Sequence, residues 1–456
     1  MKSLLTLAAC AAILCPTSTT TAAASEPQSF WPQWRGPLCN GTATQGDPPL
    51  VWSETNHVKW KAKIPGYGTS TPIVWGDRVF VLTAIPTGKK ADAKPSEPAI
   101  QGGEAAGREG GKGGGGMRSA PPGELYDFIV LCYDRQSGKV LWQKVAREGA
   151  PHEGHHPDHG YASASPVTDG QHLLAFFGSR GLHCYDLAGN HKWSKDLGQM
   201  QTRNSFGEGT SPALYGNTVV VNWDDETDKD FIVAFDKRTG DELWRKPRNE
   251  PTGWCTPLVV EHQGKAQVIV TASGKIRSYA LDTGAEIWSC AGLTANPIPS
   301  PVASGDTVYA TSGYRGSAVL AIALGRTGDL TSSDAIRWSY NKNTPYVPSP
   351  LLVDGLLYLV TVNTAVLSCF DAKTGSPHFQ GERLEGITGI YASPVAVNGR
   401  VYVLGRNGAC LVLKQGPQFE VLATNTLEDK TDASLALAGD ELFLRGHQFL
   451  YCIGGK

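Results

Sequence analysis

The feature that most restricts this chain is a repeated phrase, Asp-x-x-Thr-Gly-x-x-x-Trp, whose clearest copy runs from Asp236 through Gly240 to Trp244. The phrase has a local mechanism. The Asp carboxylate accepts a hydrogen bond from its own backbone two residues on, and the Gly takes the positive φ that closes a short hairpin. Further copies are Asp134 to Trp142 with Gly138, Asp186 to Trp193 with one residue fewer, Leu281 to Trp288, and Asp371 to Phe379 with Gly375, where Phe replaces Trp. The Gly stands four residues before the aromatic in each copy. Around the clearest one, Ser211 to Trp244 reads as four short β-strands and shows no helical apolar period.

The other end of the unit repeats too. A Ser or Thr before Pro opens a strand at Pro72, Pro166, Pro212, Pro257, Pro301, Pro350 and Pro394, with spacings of 94, 46, 45, 44, 49 and 44, and a degenerate copy begins at Ser434-Leu435. Four strands per period of this length mark a β-propeller, whose units cannot bury both sheet faces alone and so stack around an axis. The expected fold is all-β, an eight-bladed propeller of four-stranded antiparallel blades over residues 51–456. Val58 to Ile64 resembles a fourth strand without its first three, and Ser434 to Ile453 has three strands without a fourth. Joined, the two chain ends make one blade and remove the exposed edges of an open ring. The Trp positions of the outer strand, Trp60, Trp142, Trp193, Trp244, Trp288 and Trp338, are expected to dock between neighbouring blades.

Outside the repeats lie three other segments. Residues 1–24 carry Lys2, an apolar run and an Ala22-Ala23-Ala24 end, as a secretory signal does, which predicts a periplasmic or secreted protein. A lipoprotein signal using Cys10 is the alternative. Residues 25–50 include Trp31 and Trp34, residues too large and apolar for a free tail, so this arm is expected to pack on the propeller. Residues 86–123 are rich in Gly, Pro and charge and read as a flexible insertion in blade one. Its Gly-Lys pair is no phosphate loop, because Ala106 and Gly113 stand where Gly and Ser or Thr are required.

A formal charge of −2 gives no basis for a nucleic-acid or membrane surface as partner, and beyond the signal no run is apolar for long enough to span a bilayer. A monomeric propeller is expected. Cys132, Cys184, Cys369, Cys410 and Cys452 read as one repeated place in strand three, too far apart for disulfides and suited to small buried hydrophobes. Cys39, Cys255 and Cys290 remain, and no disulfide framework is expected of three.

Strand direction places the tight Asp-Gly turns on the lower face and the long loops on the upper one. Between blades one and two the loop holds His152, Glu153, His155, His156, Asp158 and His159, donors suited to zinc, copper or nickel, in a spacing that fixes no particular metal; a solvated loop is the competing reading. Arg180, Arg315, Arg406 and Arg445 follow strand two in their blades. They either converge on an anionic ligand at the channel mouth or satisfy loop carbonyls and pair with carboxylates such as Glu208 and Asp224. The run Asp224, Asp225, Glu226, Asp228 and Asp230 lacks the Gly and final Glu of a calcium loop and reads as a solvated turn. Tyr67, Tyr161, Phe206, Trp254, Tyr346 and Tyr391 precede inner strands and should rim or fill the channel.

At these repeats, most closely at Ala234 to Trp244, the sequence resembles the pyrroloquinoline quinone (PQQ) repeat superfamily of eight-bladed propellers. The resemblance covers nearly all of the chain after residue 24. Quinone-dependent dehydrogenases of that superfamily imply a quinone and a calcium ion over the channel, an adjacent Cys-Cys disulfide and a carboxylate base; this chain has no Cys-Cys pair and no residues that match the calcium ligands or the base. The non-catalytic, BamB-like branch implies a scaffold that binds protein partners. The expectation is therefore an exported, non-enzymatic propeller that binds an envelope protein or small ligand on its upper face, with a PQQ-dependent oxidoreductase as the alternative.

Overall fold

The computed structural model describes residues 29–91 and 119–455. The expected signal and residues 92–118 of the insertion lie outside the described residues. Eight antiparallel sheets form the ring. Blade three is representative: Ala213–Tyr215, Thr218–Trp223, Phe231–Asp236 and Glu242–Pro247 pair in that order from the axis outwards. Its second strand is apolar on both faces, with Val219, Val220 and Val221 fully buried. That continuous run follows from sandwiching between two neighbouring blades, where neither face meets water. Closure occurs as the period requires: Val58–Lys63 pairs antiparallel with Phe449–Gly454, placing Trp60 opposite Cys452.

The repeated phrase is a contact between blades. Nε1 of five of the six outer-strand Trp residues donates to a carbonyl in the next blade's turn: Trp60 to Arg135 at 2.8 Å, Trp142 to Leu187 at 3.1 Å, Trp193 to Lys237 at 2.9 Å, Trp244 to Leu281 at 2.8 Å and Trp338 to Ala372 at 2.9 Å. Trp288 departs from this and donates to Gln267 Oε1 at 3.1 Å within its own blade. Opposite each of the five rings sits the turn glycine, Gly138, Gly189, Gly240, Gly284 or Gly375, where a Cβ would come within 2.8 Å of the indole. The glycine thus serves two ends, a positive φ and a surface flat enough for the ring. The turn carboxylates behave as their chemistry dictates: Asp236 Oδ1 accepts from Arg238 N at 2.8 Å, Asp134 Oδ1 from Ser137 N at 2.8 Å and Asp371 Oδ1 from Thr374 N at 2.7 Å. Burying one indole contributes a gross ~4–6 kcal/mol before entropy is subtracted.

Four details differ from the sequence reading. The second strand of blade one extends over Arg78–Lys90, with Lys90 opposite Glu124, because the chain keeps pairing past Pro86 before it leaves the sheet. Blade four gains a fifth strand, Gly328–Asp329, parallel to its outer edge. Cys410 is not at the repeat's strand-three place: it pairs with Asn425, and Val412, paired with Ala423, occupies the place that in other blades faces the outer-strand aromatic. The acidic run after Trp223 is a solvated turn only in part: Glu226 and Asp228 are exposed, the other three carboxylates are not. Asp224, Asp225 and Asp230 are buried, Asp224 in an ion pair with Arg248 at 2.7 Å and Asp225 and Asp230 as acceptors for the backbone of Gln201 and Glu250. All eight described cysteines are free.

The arm crosses the lower part of the channel. Trp31 exchanges backbone hydrogen bonds with Val74, Pro32 accepts from Thr168, Asn40 accepts from Leu352 and Ala43 donates to Ala396, so the arm touches the inner strands of blades one, two, six and seven, of which two and six face each other across the ring. Arg35 is buried and donates to the carbonyls of Pro350 at 2.7 Å and Pro394 at 2.9 Å. Those carbonyls belong to prolines that start inner strands.

Candidate functional site

The Ser or Thr before each strand-opening Pro has a role beyond the turn. Each backbone N–H donates to the hydroxyl of the equivalent residue in the next blade: Thr71 to Ser165 at 2.9 Å, Ser165 to Ser211 at 2.8 Å, Ser211 to Thr256 at 3.1 Å and Thr256 to Ser300 at 3.0 Å. The series continues through Ser349, Ser393 and Ser434 at 2.9 Å per link. Proline follows and has no N–H of its own, so this is the last donor before the strand and a neighbour's hydroxyl satisfies it. No link joins Ser434 back to Thr71 among the described residues.

Above this ring lies a cup of about 270 Å³ on the propeller axis. Its wall carries the hydroxyls of Ser165, Ser211, Thr256, Ser300, Ser393 and Ser434, and its upper part is made by the loops that lead into the inner strands, with Phe206, Trp254, Tyr346 and Tyr391. Trp34, from the arm, also lines it. Since the arm's other contacts are with residues beyond the strand-opening prolines, Trp34 closes the cup from below.

One charged group forms part of the rim. Arg406 donates through Nη2 to Asp158 at 2.8 Å and through Nε to Asp432 at 2.6 Å, and lies 4.0 Å over the ring of Tyr391. The Tyr391 hydroxyl donates to Asp158 at 3.0 Å, and His447 Nε2 meets Asp432 at 2.8 Å. The hydrogen bond from Arg406 holds the Asp158 carboxyl below its usual range. Blades seven and eight and the loop after blade one are tied together at this point.

The four arginines do not form one group. Arg406 stands at the rim as described. Arg445 is buried, and its Nη1 donates to the carbonyls of Leu82 at 2.6 Å and Ser70 at 3.3 Å; desolvation pulls it down to about 10. Arg180 is buried behind the cup, and Arg315 is exposed over Tyr314. Carbonyl satisfaction and carboxylate pairing therefore account for Arg445 and Arg406.

The histidines divide as well. His156 and His159 line the cup, where His156 packs edge-on to Phe206 and burial pushes His159 down to about 4. His155 packs edge-on to Tyr161. His152 faces away from these into a second, smaller cavity of about 40 Å³, together with Glu153, Tyr161, Arg180 and Glu208. Trp254 lies between the cavities and lines both, with its Nε1 donating to Gly207 at 2.7 Å. Tyr67 packs edge-on to His447. In the second cavity desolvation raises Glu153 to about 7 and Glu208 to about 8. Sequence reasoning missed Asp432, and treated Glu208 as a mere arginine partner; neither sits in a motif, and each acquires its neighbours from another blade.

Eight four-stranded blades, outer-strand Trp on turn Gly, and loops gathered over a closed axis define a propeller of the PQQ-like repeat class. The family model described as outer membrane protein assembly factor BamB matches residues 127–380, more than half the chain, and the protein belongs to that family. Solved structures of the same fold include BamB from Moraxella catarrhalis, with 14% identity, a TM-score of 0.53 and coverage of 72% of this chain and 93% of that one. The europium-containing methanol dehydrogenase has 10% identity, a TM-score of 0.60 and coverage of 93% and 91%. The computationally designed Ika8 protein has 13% identity, a TM-score of 0.51 and coverage of 73% and 93%. No curated protein matches the sequence. Among the described residues no helix is long and apolar enough to cross a membrane.

The quinone and calcium of the dehydrogenase branch do not fit the cup. The quinone is a tricarboxylate and needs cationic donors, and calcium takes six to eight oxygens, carboxylates prominent among them. The guanidinium at the rim is already paired with Asp158 and Asp432, the cup's two carboxylates, and the rest of the described lining is hydroxyls, rings, imidazoles and the apolar Ile298, Val347 and Ala433, which offer neither cationic donors nor further carboxylates.

Proposed function

We propose that this protein is an exported, non-enzymatic binding propeller whose upper-face cup receives a small ligand or a protruding segment of an envelope protein. One observation supports the reading above others: the hydroxyls of Ser165, Ser211, Thr256, Ser393 and Ser434 each accept a backbone N–H, yet donate to no protein acceptor among the described residues. Their protons are free for a guest. Aromatic side chains above them favour a guest with an apolar, flat face and an acceptor-rich end. The internal pairing of Arg406 with Asp158 and Asp432 leaves the rim without a large net charge, so recognition rests on shape and neutral hydrogen bonds.

Capture from envelope extract with the wild-type protein and a Tyr346→Ala/Tyr391→Ala variant in parallel tests this. A ligand or partner retained by the first and lost from the second is expected. Equal retention moves the binding surface away from the cup. Stoichiometric uptake of quinone and calcium, with dye reduction that depends on added alcohol, overturns the non-enzymatic reading.

A further inference from the structure

The second cavity holds an arrangement that the cup does not use. His152, Glu153 and Glu208 each offer a ligand atom, and these atoms lie within 4.8 Å of one another. Glu153 and His152 come from the loop after blade one, and Glu208 from the loop after blade two, so the group spans two segments.

Each of the three is held by its own outer partner. His152 Nε2 donates to the carbonyl of Met200 at 2.6 Å, which fixes the tautomer and leaves Nδ1 as an acceptor whose one neighbour is Arg180 Nη2 at 3.3 Å, a contact a bound cation would displace. Glu153 accepts from Thr202, at 2.5 Å from the hydroxyl and 3.2 Å from the backbone N–H. Glu208 accepts from the hydroxyl and the backbone N–H of Ser179, both at 2.5 Å. These bonds orient the donors and leave further carboxylate lone pairs open.

The charge of the group is unresolved by the protein itself. Among the described residues neither carboxylate has a cationic side chain within ion-pair distance, although Glu153 is buried and the two carboxylates are neighbours. Arg180 is the nearest cation, but its contacts are Nη2 to His152 Nδ1 and Nη1 to the Ser179 carbonyl, both 3.3 Å and longer than a good hydrogen bond. Buried carboxylates without a paired cation are costly, and a cationic partner, a metal ion or protonation relieves that cost.

We infer that His152, Glu153 and Glu208 form a binding site for a divalent cation of the zinc class, seated in the small cavity behind Trp254. One imidazole nitrogen and two carboxylate oxygens make a three-ligand set that zinc accepts with water in the remaining position. The nitrogen ligand and the small, rigid cavity disfavour calcium, which seeks more oxygens at longer distances. A cation there crosslinks the loops after blades one and two and braces the Trp254 wall of the cup. This set differs from the histidine cluster that the sequence suggests: His155, His156 and His159 take no part in it.

Isothermal titration of the full, chelator-treated protein with zinc chloride, paired with elemental analysis, tests the site. One zinc per chain is expected, with affinity lowered at least tenfold in Glu208→Gln and His152→Gln and unchanged in His155→Gln and His156→Gln. Thr202→Val, which removes the outer hydrogen bond to Glu153 and also the one that Thr202 Oγ1 accepts from Gly207 N at 3.0 Å, is expected to weaken binding by about 10- to 100-fold, with the melting curve reporting the cost of the second bond. Circular dichroism and melting of each variant separate loss of a ligand from loss of fold. Cobalt substitution adds a readout, since ligand-field bands of a four- or five-coordinate ion should appear in wild type and vanish in Glu208→Gln. Absence of saturable zinc binding, binding unaffected by both Glu208→Gln and His152→Gln, or binding abolished by His156→Gln overturns the assignment.

Discussion

Trp193 of blade two lies against Gly240 of blade three so closely that a Cβ on the glycine would stand 2.6 Å from the indole Cδ2. The same turn supplies the carbonyl of Lys237 that accepts from Trp193 Nε1. Neighbouring blades are locked at this pair and at its four equivalents. Gly240→Ala therefore combines a positive φ of 75°, costly for an L side chain, with overpacking against a ring that has no space to retreat. A loss of about 2–4 kcal/mol is expected. Trp193→Ala leaves a cavity between blades and is expected to cost about 3–5 kcal/mol. Denaturant titration of both variants checks the values, and Gly216→Ala serves as reference, since it shares the positive φ but has nothing within 4 Å of the added Cβ.

The hydroxyl ring predicts a separate, smaller effect. Ser211→Ala strands the N–H of Ser165, which is buried and bonded to that hydroxyl. An unsatisfied buried donor costs about 1–3 kcal/mol, and Ser211→Thr, which keeps the hydroxyl, should recover most of it. Amide exchange at Ser165, faster in the alanine variant and restored in the threonine variant, is the direct measurement.

At the rim, Arg406 supports Asp158 and Asp432 together, and Arg406→Met leaves both without their cation. Asp432 is nearly buried while Asp158 is about one-third exposed, with side-chain exposures of 3% and 35%. The loss should therefore fall near 1–3 kcal/mol, below that of a fully buried pair. Its pH dependence has a definite sign. The native Asp158 carboxyl is held below its unfolded value of about 3.9, so the contribution is present above that value and is lost as pH falls through the native one. Acid-melting curves of wild type and Arg406→Met are expected to converge at the lowest pH and to separate above about pH 4.

These cases show what a sequence of this kind discloses. The ring of eight was legible because its determinants are local and repeated: an Asp that bonds its own turn, a Gly with positive φ, and a Trp four residues on. Even the partner of Trp60 could be found, since only one blade lacked its outer strand. The candidate sites were not legible, because their bonds join residues remote in the chain. Arg406 is 248 positions from Asp158, and Glu153 is 49 from Thr202. No period or motif relates such pairs, and a histidine-rich loop looks the same whether its members share a ligand or, as here, separate into two cavities. The buried members of the acidic run after Trp223 are illegible for the same reason: Asp224 gains Arg248, which stands just beyond the outer strand Glu242–Pro247 and 24 positions on.

His183 provides the clearest pH test away from the cup. It is 3% exposed, with Nε2 against the carbonyl of Arg180 at 2.9 Å and Nδ1 against Ser194 Oγ at 2.7 Å. Burial pushes it down to about 4, whereas an unfolded imidazole titrates near 6.5. Between those values the unfolded chain binds a proton that the native protein does not, so stability rises with pH across the interval and is lost as pH falls through it. The difference corresponds to about 3 kcal/mol at 1.36 kcal/mol per unit. His183→Gln, neutral at every pH and able to keep one of the hydrogen bonds, should be less stable than wild type at pH 7 and should lose less on acidification to pH 5. Parallel melting curves for the two proteins between pH 7 and pH 5 would show instead that His183 is already protonated in the native state, or that another group governs this interval.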